Sequence, residues 1–215
     1  MTGTKPAGIL SHSVTSAETM QSDDEQEIIS RCRKGDIEAF EVLVKAYQGK
    51  MFNIAFRITG DADDAAEVVQ DAFVSAHRNL KKFEQRSRFS TWLCAITVNA
   101  ARNRLSQVRS RKAHEAYSLD DPPSQDCGRG SREHASGEPS VLVQLTRKEQ
   151  QEKIQECLNM LETEFREVIV LRDVQGFAYD EIGTMLGLAA GTVKSRLFRA
   201  RESVKTCLKQ RLGDM

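Results

Sequence analysis

Residues 177–208 read FAYDEIGTMLGLAAGTVKSRLFRARESVKTCL. Two helical patterns flank a break at Gly187, Leu188, Ala189 and Ala190, and this arrangement predicts a helix-turn-helix. In the second pattern Val193, Leu197, Ala200, Val204 and Leu208 recur at helical spacing and make one narrow apolar stripe. At roughly 100° per residue, Lys194, Ser195, Phe198, Arg199 and Lys205 fall on other faces. From Ala189 to Arg211 seven Lys/Arg stand against one acid, Glu202. A basic amphipathic helix is usually a solvated surface helix, but two details favour a DNA major groove. Gly187 sits where a C-terminal cap must turn the chain, and Phe198 lies off the stripe, where a monomer gains nothing from an aromatic. Lys194, Ser195, Phe198 and Arg199 are then nearest the bases.

Length and composition frame this reading. At 215 residues the chain holds one large domain or two small ones, and 40% hydrophobic with 29% charged residues suits a soluble globular protein. The formal net charge is zero, yet the charges are segregated into blocks. No run approaches the roughly 18 apolar residues of a membrane span. Residues 1–22 lack an apolar signal core and read as a disordered tail, not a targeting peptide. The cysteines at 32, 94, 127, 157 and 207 are odd in number, scattered and free of CxxC spacing. That pattern predicts reduced thiols in a cytosolic protein, not a disulfide frame or a zinc site, with Cys94 and Cys157 in the core and Cys127 in a loop as the one thiol open to redox chemistry. No metal site or cofactor is expected.

Upstream, a short helix is expected over 23–34, ended by Gly35. A long one over 36–59 presents Ile37, Phe40, Leu43, Val44, Tyr47, Met51, Ile54, Ala55 and Ile58 inward and ends at Gly60. Asp61 is a natural N-cap for the next helix, which runs to Leu80 with Ala65, Val69, Ala72, Phe73, Ala76 and Leu80 buried. Its other face gathers Asp63, Asp64, Glu67, Gln70 and Asp71, and no base occurs between Ile58 and Ala76. The helix dipole accounts for Asp63 and Asp64 but not for Asp71, so a docking surface for a basic protein is favoured over simple solvation. From Phe83 to Lys112 the sign reverses, with seven Arg/Lys against Glu84 alone. A basic loop at 84–88 leads into a helix starting near Ser90 or Thr91, along which Trp92, Ile96, Asn99 and Asn103 share a stripe. Its two amides either hydrogen-bond neighbouring helices, or emerge from the core to meet unpaired bases beside Arg86 and Arg88. Residues 113–140, rich in Pro, Gly, Ser and Asp, read as a linker, and helical patterning resumes over 141–161 and 163–174. No strand alternation appears, so the chain is expected to be all-α: a helical domain at 23–112 and another at 141–215, joined by the flexible linker.

This order of parts resembles the extracytoplasmic-function (group 4) sigma factors of bacterial RNA polymerase, in the sigma-70 family. AAEVVQDAFVSAHRNL with FSTWLCAITVNAARN looks like region 2, and LETEFREVIVLRDVQGFAYDEIGTMLG with GTVKSRLFRARE looks like region 4. The resemblance implies that Asp64, Glu67, Gln70 and Asp71 bind the polymerase β′ clamp helices, with region 4 on the β flap. It implies that Arg86, Arg88, Trp92, Asn99 and Asn103 melt and read the −10 element, and that Thr192, Lys194, Ser195, Arg196, Phe198 and Arg199 read the −35 element. It further implies a cytoplasmic protein without enzymatic activity, serving a stress regulon and held by an anti-sigma protein. Two family prolines are missing: Glu162 follows Leu161, and Ala189 precedes the recognition helix. Helix starts should weaken slightly for it.

A flexible linker of about 28 residues spans roughly 30 Å. Promoter elements two duplex turns apart are separated by roughly 70 Å, within the ~90 Å of full extension. The polymerase is therefore expected to hold the two domains apart. The competing reading is a stand-alone helix-turn-helix regulator with 23–112 as sensor or dimerisation domain, which leaves the Arg86 loop and the Asn99/Asn103 stripe without a purpose. An enzyme is remote, since His12, His77, His114 and His134 are scattered and no nucleophile–base pair or phosphate loop is visible.

Overall fold

Capping and apolar periodicity set the helix limits. The computed structural model describes residues 22–85, 87–117 and 141–212. These form α1 (Ser22–Arg33), α2 (Ile37–Thr59), α3 (Ala62–Asn79), α4 (Phe89–Tyr117), α5 (Val141–Asn159), α6 (Thr163–Ile169), α7 (Tyr179–Leu186) and α8 (Ala190–Leu212). A single 3-10 turn follows α3 and a π turn at Val170–Val174 follows α6, with no strand among the described residues. The Asp36 carboxylate accepts from the Ala39 N–H at 3.0 Å, and that of Asp61 from Asp63 and Asp64 at 2.9 and 2.8 Å. Gly60 ends α2 in the left-handed region, at φ +81°.

The first half is a bundle of α2, α3 and α4 with α1 against α2. Leu43, Met51, Ile54 and Ile58 of α2 are fully buried beside Val68, Ala72 and Ala76 of α3 and Leu93, Val98 and Ala101 of α4. Two expected core positions move. Ile37 is 76% exposed, because it lies in the first turn where the stripe runs off the core, and Val68 rather than Val69 is the more deeply buried. Helix α4 also continues to Tyr117, past the expected boundary at 112. In the second half the helix expected over 163–174 widens after Ile169, where the Gln175 N–H reaches the Val170 carbonyl at 3.0 Å. Among the described residues no helix is long and apolar enough to cross a membrane.

The halves share one continuous apolar core, running from Ile29 to Ala200. At the C-terminus of α2 the Phe56 carbonyl already accepts the Gly60 N–H at 2.8 Å while the later carbonyls lack helical donors, and side chains of the second half donate to this end of the helix. Gln155 Nε2 donates to the Phe56 and Arg57 carbonyls at 3.4 and 3.5 Å, and Arg166 Nη1 donates to that of Ile58 at 2.6 Å. Asn159 closes over Gly60, where a Cβ would lie 2.4 Å from its Oδ1. Between α4 and α6, Arg102 grips Glu167 through two 2.5 Å bonds, and Glu167 is 1% exposed. This packing of half on half was not legible in the sequence.

The expectation of reduced thiols throughout is overturned at one pair: Cys157 of α5 and Cys207 of α8 form a disulfide. Cys157 is buried as its spacing predicts, whereas Cys207 takes the buried position at the end of α8 where Leu208 was expected, and only the crossing of α5 and α8 brings their Cα atoms to 5.8 Å. Cys32 and Cys94 are free and buried, and burial pushes the Cys94 thiol up to about 12. Cys127, residues 1–21 and residues 118–140 lie outside the described residues.

Candidate nucleic-acid interface

The turn between α7 and α8 is built by two glycines. Gly187 caps α7 at φ +67°, and the Gly187 and Leu188 N–H groups both return to the Gly183 carbonyl. A Cβ at Gly183 would stand 2.7 Å from the Leu188 carbonyl oxygen, so the turn can close this tightly only without a side chain there. At the front of α7 the Glu181 carboxylate accepts from the Ala178 N–H at 2.9 Å, the return half of a capping box. Gly183 was not singled out from the sequence, although an interior helix glycine four residues before a capping glycine was the available signal.

Helix α8 buries Val193, Leu197 and Ala200, half-buries Val204 and Leu208, and turns its bases outward. Lys194, Ser195 and Arg199 are exposed, Phe198 is 69% exposed, and Thr192 is half-buried. Arg196 is tied to Glu164 at 2.6 Å and Arg201 to Asp173 at 2.6 Å. Lys194 and Arg199 have no carboxylate partner among the described residues, which leaves both charges available to an external anion; Lys194 Nζ stands 5.8 Å from the Tyr179 ring centre.

On the other half, Arg86 lies outside the described residues and Arg88 is exposed. Gln85 adopts φ +56°, an uncommon conformation for a residue other than glycine, at the turn into α4. Trp92 is half-buried against Phe83 and Phe89, with ring centres at 4.9 and 5.7 Å. Asn99 and Asn103 are exposed and have no hydrogen-bond partner among the described residues, so the amides emerge from the core and do not bridge neighbouring helices. Asn103 lines a groove of about 280 Å³ between α3 and α4, together with Glu67, Asp71, Ile96 and Arg104.

The acidic face of α3 is divided by a residue the sequence reading counted only as a base. Arg104 Nε donates to Asp64 Oδ1 at 2.7 Å and its Nη1 pairs with Glu67, which draws both acids toward α4 and holds the guanidinium above its usual value. Gln70 and Asp71 remain exposed. Arg104→Ala is expected to cost about 1 kcal/mol, since the cluster is partly solvated. Chemical denaturation that left the midpoint in place would show that the cluster adds nothing to the α3–α4 seam.

Comparison with known proteins follows the same division. Residues 43–111 match the family Sigma-70 region 2, and residues 151–204 match Sigma-70, region 4. The chain is 31% identical over 195 residues to the RNA polymerase sigma-H factor of Pseudomonas aeruginosa, covering 91% of this chain and 99% of that protein. It is 33% identical over 180 residues to the ECF RNA polymerase sigma-E factor of Escherichia coli K12, covering 84% and 92%. Among solved structures, the sigma factor RpoE in complex with the anti-sigma factor NepR from Bartonella quintana aligns with a TM-score of 0.59 at 26% identity, covering 79% of this chain and 96% of that one. CnrH in complex with the cytosolic domain of CnrY shares the fold, with a TM-score of 0.58 over 86% and 97% of the two chains.

Proposed function

Because this chain belongs to the extracytoplasmic-function sigma factors of the sigma-70 family, which direct promoter recognition and transcription initiation, we propose how its surfaces divide that work. Helix α8 reads the −35 duplex with Thr192, Lys194, Ser195, Arg196, Phe198 and Arg199. Arg86, Arg88, Trp92, Asn99 and Asn103 open and read the −10 strand. The exposed Gln70 and Asp71, with Glu67 and Asp64 beside them, dock on the β′ clamp helices, while region 4 docks on the β flap. The protein acts in the cytoplasm without catalysis of its own, serves a stress regulon, and is restrained by an anti-sigma protein that covers the reading surfaces. The observation that carries the reading is α8 itself: a buried apolar stripe opposite an exposed face with Phe198 and two bases, Lys194 and Arg199, that no carboxylate among the described residues neutralises.

Size then demands a change of shape. A packed chain of this length is roughly 45 Å across. Promoter elements two turns apart are separated by roughly 70 Å. The closed form therefore does not reach both, and the halves part on the polymerase.

Run-off transcription with core polymerase tests the function, because a sigma factor makes transcripts start and a stand-alone regulator does not. Lys194→Ala with Arg199→Ala is expected to weaken −35 binding by roughly 10–100-fold and to reduce the salt slope by about 2. Unchanged affinity and slope would remove α8 from the interface.

A further inference from the structure

The Cys157–Cys207 bond lies outside every surface assigned above. It joins α5 to the C-terminal half of α8, the proposed −35 reader, across 50 residues of sequence. Glu156 and Arg211 pair across the same two helices, so this seam is held by an ion pair as well as by the sulfurs. The opposite side of α5 reaches α2 through Gln155, so one helix is fastened to both halves. Cys157 is 1% exposed and Cys207 7%, and the 67% exposed Met160 places its Sδ 3.7 Å from Cys207 Sγ. Cys32 and Cys94, the other described cysteines, are buried in the first half as free thiols. A protein that works on polymerase and promoter DNA does so in a reducing compartment, where disulfides are as a rule transient and redox-sensing.

We propose that Cys157 and Cys207 form a thiol–disulfide exchange site whose co-reactant is a dithiol, and that the oxidised state clamps the recognition helix. A thiolate of the dithiol attacks Sγ of Cys207, the less buried of the two residues, and the S–S bond breaks. Cys157 leaves as a thiolate and takes a proton. The second thiol of the reductant then displaces Cys207, so the two electrons come from the dithiol, which ends as a disulfide. The reverse exchange, with a disulfide oxidant, restores the bond. Oxidised, α8 is tied to α5 and the −35 face is rigid. Reduced, the C-terminal half of α8 is held by packing and the Arg211–Glu156 pair. The DNA consequence rests on α8 being the duplex reader.

The test uses the full chain, oxidised with oxidised glutathione or reduced with dithiothreitol, each cleared of reagent. Alkylation under denaturing conditions is expected to mark three of the five cysteines in the first sample and all five in the second, with Cys157 and Cys207 linked in one peptide of the first. Reduction should lower the melting temperature by roughly 5–15 °C. It should also weaken holoenzyme protection of the −35 element. Cys157→Ala with Cys207→Ala should abolish both differences, and because reduction of the unaltered chain gives the same readouts, poor folding of the variant does not obscure them. Five alkylated cysteines after oxidation, or equal melting and equal protection in the two states, would overturn the proposal. Absence of −35 protection in both states beside an intact melting shift would overturn the reading of α8 and support the exchange site.

Discussion

Arg102→Ala is expected to release the two halves from each other while leaving each folded. Glu167 is 1% exposed, and its charge is met by both ends of the Arg102 fork at 2.5 Å. Removing the arginine leaves a buried carboxylate uncompensated, which costs several kcal/mol when burial is complete. Arg102 itself is 36% exposed, so a value of about 3 kcal/mol is appropriate, equivalent to a shift of roughly 150-fold. The cheapest escape is to give Glu167 back to water, which happens when α6 leaves α4. The first half keeps its own core of α2, α3 and α4, so opening competes favourably with unfolding. Small-angle scattering should show a larger radius of gyration, and Glu167→Ala, which removes the buried charge together with its bonds, should open the chain less. A radius unchanged in Arg102→Ala would mean that the shared apolar core alone keeps the halves closed.

Gly183→Ala should damage the region 4 half more than any exposed substitution. The new Cβ would meet the Leu188 carbonyl oxygen at 2.7 Å, and that oxygen belongs to backbone held by the Leu188 N–H bond to Gly183 and by the left-handed Gly187. Nothing flexible can move aside, so the turn opens and α8 rotates against α7. Overpacking of this kind costs about 1–3 kcal/mol. In a chain of this size with one shared core, each kcal/mol lowers the melting point by roughly 2–4 °C. The −35 footprint should weaken with it, since Lys194 and Arg199 are aimed by that turn. Gly191→Ala is the control: a Cβ there meets nothing within 4 Å, and alanine favours the helix. If Gly183→Ala melts and footprints like its parent, the close approach does not determine the turn.

Much of the candidate site was legible because it depends on neighbours three or four residues away. Val193, Leu197 and Ala200 are buried as their spacing predicts, Asp61 caps α3, Gly187 ends α7, and Asn99 and Asn103 stand free on the outer end of the Trp92 stripe. What escaped depends on partners far along the chain. Arg104 had the composition of a nucleic-acid contact, yet it is spent on Asp64 and Glu67, forty and thirty-seven residues earlier. Arg166 and Glu167 sit among apolar residues in the sequence, and nothing local says that a carbonyl of α2 and a guanidinium of α4 wait for them.

The sequence by itself determined the helices, their caps, the turn between α7 and α8, and the separation of acidic and basic faces, since hydrogen bonds between i and i−4 and the 3.6-residue period are local. The tertiary structure alone decided that the two halves close on each other, that Arg102 and Glu167 hold the closure, and that Cys157 meets Cys207. Periodicity says which face of a helix is buried. Which other face it is buried against depends on how helices cross, and residues 50 to 108 positions apart carry no local trace of that.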